Sequence, residues 1–99
     1  MINIHDPNLK KALRDYYDYL GDGKAKAIKI IKNKHSDVSM LLVRFKDSDG
    51  DEMSALMDFQ EWADGHIDVT EVFTAEREDE AEMVKDFEES EEYRCEVIE

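Results

Sequence analysis

The feature that most constrains the fold is an Asp-Gly pair between two apolar runs. Residues 38–45 and 53–59 have the composition of β-strands, and the connection between them contains Asp49-Gly50. This dipeptide favours the tight turns that join antiparallel strands. A two-residue loop here gives the pairs Phe45 with Ser54, Arg44 with Ala55, and Val43 with Leu56. The sequence therefore predicts an antiparallel sheet built around a hairpin.

A helix is predicted over residues 8–20, ahead of this hairpin. Asp6 can cap its first turn, and Pro7 fits the first helical position. Five apolar residues then recur at helical spacing: Leu9, Leu13, Tyr16, Tyr17 and Leu20. Gly21 comes next and fits the left-handed position that follows many helix ends.

Residues 24–33 combine lysines with β-branched side chains. Their alternation favours a strand, although the three-residue spacing of Ile28 and Ile31 leaves a lysine-rich helix open. A strand would put Lys29 on one face and four lysines on the other: Lys24, Lys26, Lys32 and Lys34. Residues 33–37 are typical of a turn.

The second half of the chain predicts three more elements. Residues 60–66 favour a loop or a short helical turn that contains Trp62. Residues 67–74 favour a fourth strand with Ile67, Val69 and Phe73 on one face. Residues 76 to about 89 favour a helix with acids in its first turn, and residues 93–98 a short final strand.

Together these elements predict one α+β domain over residues 1–99. We expect an antiparallel sheet of about four or five strands, an N-terminal helix and a C-terminal acidic helix. Both helices are expected on the same face of the sheet. The chain is 99 residues long, which is enough for one hydrophobic core.

The net charge and the apolar pattern exclude several classes of function. At a formal charge of −13, the chain is repelled by phosphate, so direct nucleic-acid binding is not expected. No apolar run approaches the ~20 residues of a membrane span, and the first residues do not resemble a secretory signal. The single Cys95 excludes an internal disulfide framework and suits a reducing compartment. We therefore expect a cytoplasmic protein with no membrane partner.

No catalytic or metal motif is evident, so neither an enzyme activity nor a cofactor is expected. The three histidines lack the spacing of a zinc site, and there is no phosphate-binding glycine loop. The acidic run that starts at Asp47 fails the calcium-loop pattern, because Glu52 stands where that pattern needs glycine. It is interpreted as a solvated hairpin turn.

Charge is divided unequally along the chain. Residues 1–46 carry a net +5 and residues 47–99 a net −18, an asymmetry that indicates a use for charge. Residues 76–92 contain ten acids and two basic residues. If this segment were helical throughout, it would span roughly 25 Å, with a charge density close to that of a nucleic-acid strand. Like-charged pairs four residues apart in this segment lower the stability of a helix. The same acids are also compatible with a face that only increases solubility.

The leading hypothesis is a binding protein whose carboxylates resemble a nucleic-acid backbone and block a basic nucleic-acid-binding protein or complex. In size, acidity and lack of a catalytic motif the chain resembles small phage-encoded inhibitors, including anti-CRISPR and anti-restriction proteins. That likeness assigns no residue a role. The candidate contact residues are Glu76, Glu78, Asp79, Glu80, Glu82, Asp86, Glu88, Glu89, Asp47, Asp49 and Asp51. Asp64 and Asp68 could add to them.

Two alternatives remain open. An assembly module could dock through exposed apolar side chains, with Trp62, Phe59, Tyr19 and Met57 as anchors and the acids only solubilising. An RNA-contacting strand could use residues 24–34, although the segment lacks aromatic residues on which bases stack. Lysines on a strand more often protect a sheet edge. The sequence does not indicate an oligomeric state.

Overall fold

The computed structural model describes residues 3–18 and 25–93, apart from the side chain of Tyr93. Two helices and four strands are present: α1 (Pro7–Tyr16), β1 (Lys26–Lys32), β2 (Ser39–Lys46), β3 (Glu52–Glu61), β4 (Ile67–Glu76) and α2 (Glu80–Glu89). Short 3-10 turns at Arg77–Asp79 and Glu91–Tyr93 flank α2. The strands form an antiparallel sheet in the order β1-β2-β3-β4. The predicted α+β fold is confirmed.

The lysine-rich segment is a strand, so the helical alternative for it was wrong. The first helix is shorter than predicted, because it ends at Tyr16 rather than at residue 20. Tyr17 leaves helical geometry while its backbone N–H still donates to carbonyls of the last turn, and its side chain is buried. Gly21, Tyr19 and the strand predicted over residues 93–98 lie outside the described residues, except that Tyr93 belongs to a 3-10 turn.

The central hairpin differs from the prediction by one residue. Arg44 pairs with Ser54, and Phe45 pairs with Met53. The loop is longer than Asp49-Gly50 because Asp47 closes it: the Asp47 N–H donates to the Asp51 carbonyl, and the Asp47 carbonyl accepts from Gly50. Gly50 has φ +85°, a conformation that favours glycine.

The two helices cover opposite faces of the sheet, so the expectation of one covered face was wrong. One core lies under α1 and contains Leu41, Val43, Ala55 and Met57. The other lies under α2 and joins Phe87 to side chains of the alternate positions: Ile31, Met40, Leu42 and Leu56. Because successive residues of a strand point to opposite faces, the unbroken apolar runs of β2 and β3 supply both cores.

A β-bulge in β4 changes which face its residues occupy. Met57 pairs with Glu71 and Leu56 pairs with Phe73, which leaves Val72 between them. Ile67 and Val69 belong to the core under α1, whereas Phe73 is displaced to the face of α2. The prediction that these three side chains share a face was therefore wrong.

Each helix is tied to the sheet by polar contacts. The Tyr16 hydroxyl accepts from the Glu71 backbone N–H at 3.2 Å, and the Tyr17 hydroxyl donates to the Glu71 carboxylate at 2.9 Å. At the end of α2, the buried Asn33 amide donates to the carbonyls of Phe87 and Ser90 at 2.7 and 2.9 Å. The Phe87 carbonyl also accepts from the Ser90 backbone N–H at 3.3 Å, so Asn33 adds a second donor at the helix end.

Within the described ranges, the structure contains no helix that is both long and apolar enough to cross a membrane.

Candidate partner-binding surface

Two groups of carboxylates meet near one corner of the sheet. Carboxylate oxygens of Glu76, Glu78 and Asp79 lie within 4.8 Å of one another, and the same is true of Asp47, Asp49 and Asp51 in the hairpin loop. The groups are 25 or more residues apart in sequence. Pairing of β3 with β4 brings them together, since Glu76 lies opposite Met53 at the start of β3.

The pKa of Glu76 records this proximity. It is raised above the ordinary 4.5, first by a hydrogen bond shared with Glu78, then by repulsion from Glu78, by desolvation, and by repulsion from Asp79 and Asp51. Repulsion from Asp51 comes from the hairpin loop, so the two groups act on each other electrostatically. Like charges held together in this way disfavour the ionised form.

The loop itself is held by one of its own acids. The Asp47 carboxylate accepts from the backbone N–H groups of Asp49 and Asp51 at 3.0 and 2.9 Å. Asp47 is half-buried, whereas the side chains of Asp49 and Asp51 are exposed. Asp47 therefore positions the loop, and the other two present charge to solvent.

Glu80, one of the predicted contact residues, is enclosed by side chains of the sheet instead of being exposed to solvent. Its carboxylate accepts from Arg44 Nε and Nη2 at 2.9 and 2.8 Å, and from the Ser54 hydroxyl at 2.7 Å. Only 15% of its side chain is exposed. The hydrogen bonds from Arg44 hold the pKa of Glu80 at about 2, below the ordinary 4.5.

The acidic segment 76–92 is not helical throughout, so the span of about 25 Å that a continuous helix would have does not apply to it. Glu76 still belongs to β4, α2 covers ten residues, and Ser90 is extended (φ −65°, ψ 126°). At 1.5 Å per residue α2 is about 15 Å long. Sheet pairing holds Glu76 in β4, and after α2 the Asn33 amide donates to the carbonyls of Phe87 and Ser90.

The acids of α2 fall into two sets. Glu82 and Asp86 are exposed, and no ion pair of theirs is present among the described residues. Glu89 lies 3.4 Å from Lys34 Nζ, and Glu88 is half-buried. We use the name carboxylate surface for the exposed acids of the hairpin loop and of residues 76–86 that form no ion pair among the described residues. It consists of Asp49, Asp51, Glu76, Glu78, Asp79, Glu82 and Asp86.

Asp64 and Asp68 lie apart from this surface, at the turn between β3 and β4. Asp68 accepts from Trp62 Nε1 at 2.9 Å and is 2.7 Å from His66 Nε2. The hydrogen bonds from Trp62 and His66 lower the pKa of Asp68. Asp64 accepts from the His66 backbone N–H. Both carboxylates are thus engaged locally.

The two carboxylate groups are also the places where a divalent cation would find oxygen ligands. In the hairpin group, one Asp47 oxygen already accepts two backbone N–H groups. The Glu76 group is fully exposed. These groups are therefore interpreted as charge presented to solvent.

The lysines of β1 lie at a sheet edge, and their predicted division between faces was wrong. An irregularity at Ile28 interrupts the alternation, so Lys26 and Lys29 pair with Arg44 and Leu42, whose side chains face α2. Lys32 points to the opposite face. A first strand in a four-stranded sheet is an edge, where lysines discourage pairing with other chains.

Of the four proposed apolar anchors, one is exposed in the described part of the chain. Trp62 is 52% exposed. Met57 is fully buried, which contradicts its role as an anchor, and Phe59 packs half-buried against the core under α1. Tyr19 lies outside the described residues. An apolar docking surface built from these four side chains is therefore not formed.

Sequence reasoning missed three polar residues that shape this region. Arg44 holds Glu80, Arg77 donates to the Ser54 hydroxyl and the Met53 carbonyl at 3.1 and 2.9 Å, and Asn33 ends α2. A signal existed for Arg44, because an arginine within an apolar strand run needs a carboxylate partner. Its partner on a distant helix could not be identified from spacing.

No protein-family model, curated protein or solved structure matches this chain. Its function is therefore inferred from its own residues.

Proposed function

We propose that this protein is a non-enzymatic inhibitor that blocks a basic nucleic-acid-binding protein or complex with its carboxylate surface. The observation that carries the proposal is the junction of the hairpin acids with Glu76, Glu78 and Asp79. Stability alone gives no reason to bring these acids together, because the hydrogen bond with Glu78 and the repulsion from Glu78, Asp79 and Asp51 raise the pKa of Glu76 and so disfavour its ionised form. A basic partner would remove that repulsion.

Further support comes from how the positive charges are used. Arg44 is bound to Glu80 and Lys34 to Glu89. Neither pair neutralises the carboxylate surface, whose members form no ion pair among the described residues. The surface combines acids of the hairpin loop with acids from the end of β4 to α2, so it forms a patch and not a single row along one helix.

The mechanism is competition. A negative surface accelerates association with a basic groove and makes it sensitive to salt. Once bound, the carboxylates occupy the sites of phosphates, and the partner loses its DNA or RNA. No chemical step is required, and we propose that the protein acts in the cytoplasm, where such partners occur.

The test is a comparison of two charge-reversed proteins. The first carries Asp49→Lys, Glu78→Lys, Glu82→Lys and Asp86→Lys. The matched control carries the same charge change at exposed acids away from the surface: Asp15→Lys, Asp18→Lys, Asp58→Lys and Glu61→Lys. Each protein is immobilised and exposed to a bacterial lysate, and bound proteins are eluted by stepped salt and identified by mass spectrometry.

We expect the unchanged protein and the control to retain a basic nucleic-acid-binding protein that moderate salt releases and DNA or RNA displaces. The first variant should lose it while keeping its far-UV circular dichroism spectrum. The purified partner should then lose nucleic-acid binding when the unchanged protein is added. Equal retention by both variants, or retention through high salt, contradicts the proposal.

A further inference from the structure

The carboxylate surface is interrupted by a groove with an apolar floor. The groove lies between α2 and β4 and has a volume of about 520 Å³. Its floor is formed by Phe73, Ala75, Met83 and Phe87, and acids at its rim include Asp79, Glu82, Asp86 and Glu92. A surface that only imitates phosphates would have no use for such a floor.

The β-bulge at Val72 supplies the most exposed apolar part of this floor. Without the bulge, Phe73 would point toward α1 with Ile67 and Val69. With it, Phe73 lies opposite Leu56 on the α2 side and is 38% exposed. Bulges commonly re-aim a side chain beside a functional site.

The bulge is held in place from the other face. The backbone N–H of Glu71, next to the bulged residue, donates to the Tyr16 hydroxyl, and its carboxylate accepts from Tyr17. Helix α1 therefore fixes the strand geometry that exposes Phe73 on the α2 face.

The rim determines what can enter. Asp79, Glu82, Asp86 and Glu92 form no ion pair within residues 3–18 and 25–93. A nucleic acid or an acidic peptide is repelled by these carboxylates. A purely basic surface would leave the apolar floor in water. The complementary ligand combines an apolar side chain with cationic groups on both sides of it.

We propose that the groove binds a segment of a protein partner in which an apolar side chain is flanked by arginine or lysine. The apolar side chain contacts Phe73, Ala75 and Met83, and the flanking cations contact Asp79, Glu82 and Asp86. This inference rests on the proposed function and adds to it an anchor that gives selectivity among basic partners. A surface that used charge alone would bind many basic partners.

The test uses two synthetic peptides of equal positive charge. One has a central leucine and phenylalanine flanked by arginines, and in the other two serines replace this pair. Each is titrated into the protein of residues 1–99 at fixed ionic strength. Affinity is measured by fluorescence anisotropy, and the site is located by ¹H–¹⁵N NMR.

We expect the apolar peptide to bind at least about 10-fold more tightly and to shift the amide signals of Phe73, Ala75 and Met83. Phe73→Ser should remove that difference. Val72→Ser is the matched control, because Val72 is equally exposed at 39% on the same strand but does not line the groove; it should keep the difference. The paired change Glu82→Gln with Asp86→Asn should weaken both peptides.

Equal affinity of the two peptides overturns the groove proposal and leaves the proposed function intact, provided that the Glu82 and Asp86 changes still weaken both. If both peptides bind the variant with the Glu82 and Asp86 changes as tightly as the unchanged protein, the result counts against the proposed function itself. Nuclear Overhauser contacts from residues 94–99 to Phe73 that persist at saturating peptide would assign the groove to the chain's own tail. A dimer that Phe73→Ser dissociates would assign it to a second copy. Either result overturns the proposal.

Discussion

Glu78 and Glu80 are two residues apart in sequence and belong to electrostatically opposite regions. Glu80 is enclosed by Arg44 and Ser54, with a pKa of about 2. Glu78 is exposed beside Glu76, whose pKa is raised by that contact. The first carboxylate holds α2 to the sheet, and the second adds to a repulsive patch. Acidic side chains in this protein therefore occupy two kinds of environment, and only those of the second kind are exposed.

The largest expected effect on stability comes from breaking the enclosed site. Glu80→Gln removes the negative charge from two Arg44 hydrogen bonds and weakens the bond to buried Ser54. We expect the free energy of unfolding to fall by about 1.5–3 kcal/mol, measured by urea denaturation. Glu82→Gln, on the same helix, is the control and should change it by about 0.5 kcal/mol or less. Equal effects would mean that the Arg44 contact contributes nothing special.

Lowering the pH should change the contributions of the two regions to stability in opposite directions. The folded pKa of Glu80 is depressed to about 2 from 4.5, so its stabilisation is complete above pH 4.5 and is lost as the pH falls toward 2. The folded pKa of Glu76 is raised above 4.5, so its ionised form destabilises the fold at neutral pH and this cost disappears on protonation.

The measurement is the urea midpoint as a function of pH for the unchanged protein, Glu80→Gln and Glu76→Gln. The unchanged protein should exceed Glu80→Gln at neutral pH, and the gap should close between pH 4.5 and 2. Glu76→Gln should instead exceed the unchanged protein at neutral pH, with the two converging in acid. Gaps of the same sign would refute the distinction between the regions.

A smaller effect is expected from the hairpin loop that carries part of the carboxylate surface. Gly50→Ala should reduce stability by about 1 kcal/mol, because φ is +85° while no atom lies within 4 Å of the added Cβ. Gly50→Asn should cost less, since asparagine tolerates this conformation better. Chemical denaturation gives both values. Alanine and asparagine variants of equal stability would show that the left-handed conformation is not what sets the cost.

The smallest effect, and of opposite sign, is expected at the carboxylate surface itself. Glu78→Gln removes a like-charge contact with Glu76, so we expect a gain in the free energy of unfolding at low ionic strength that is smaller than the loss in Gly50→Ala. Salt screens exposed charges, and the gain should shrink as sodium chloride is added. Glu61→Gln, at the far end of β3, is the comparison and should show no such dependence. A loss of stability in Glu78→Gln would contradict the repulsion.

Local patterns predicted the elements well where one physical preference dominated. Asp6 and Pro7 start α1 as expected, because capping and a fixed φ act within one turn. The apolar runs around Asp49-Gly50 form neighbouring antiparallel strands. The register failed by one residue because Asp47 uses its side chain and backbone to build a longer loop.

The sequence also contained a signal that the two helices lie on opposite faces. Met40 to Val43 is an unbroken apolar run, and a strand with one solvated face would alternate. The choice between one covered face and two depends on this run. Expecting both helices on one face gave too little weight to it.

The candidate site was also predicted in part by the sequence. Composition alone identified an excess of acidic residues in the second half, and the seven members of the carboxylate surface come from that half. Which acids are free could not be read from spacing. Glu80 and Glu89 form ion pairs with Arg44 and Lys34, residues more than 30 positions away, because strand pairing and helix packing create those contacts.

The sequence by itself determined the α+β class, the antiparallel order of the elements and the acidity of the second half, since propensity, turn chemistry and charge act locally. The tertiary structure decided which carboxylates are paired and where Phe73 points. Those outcomes depend on a single bulge at Val72 and on partners distant in sequence. Local preference carries no information about either, because the energy of each contact exists only once the sheet has formed.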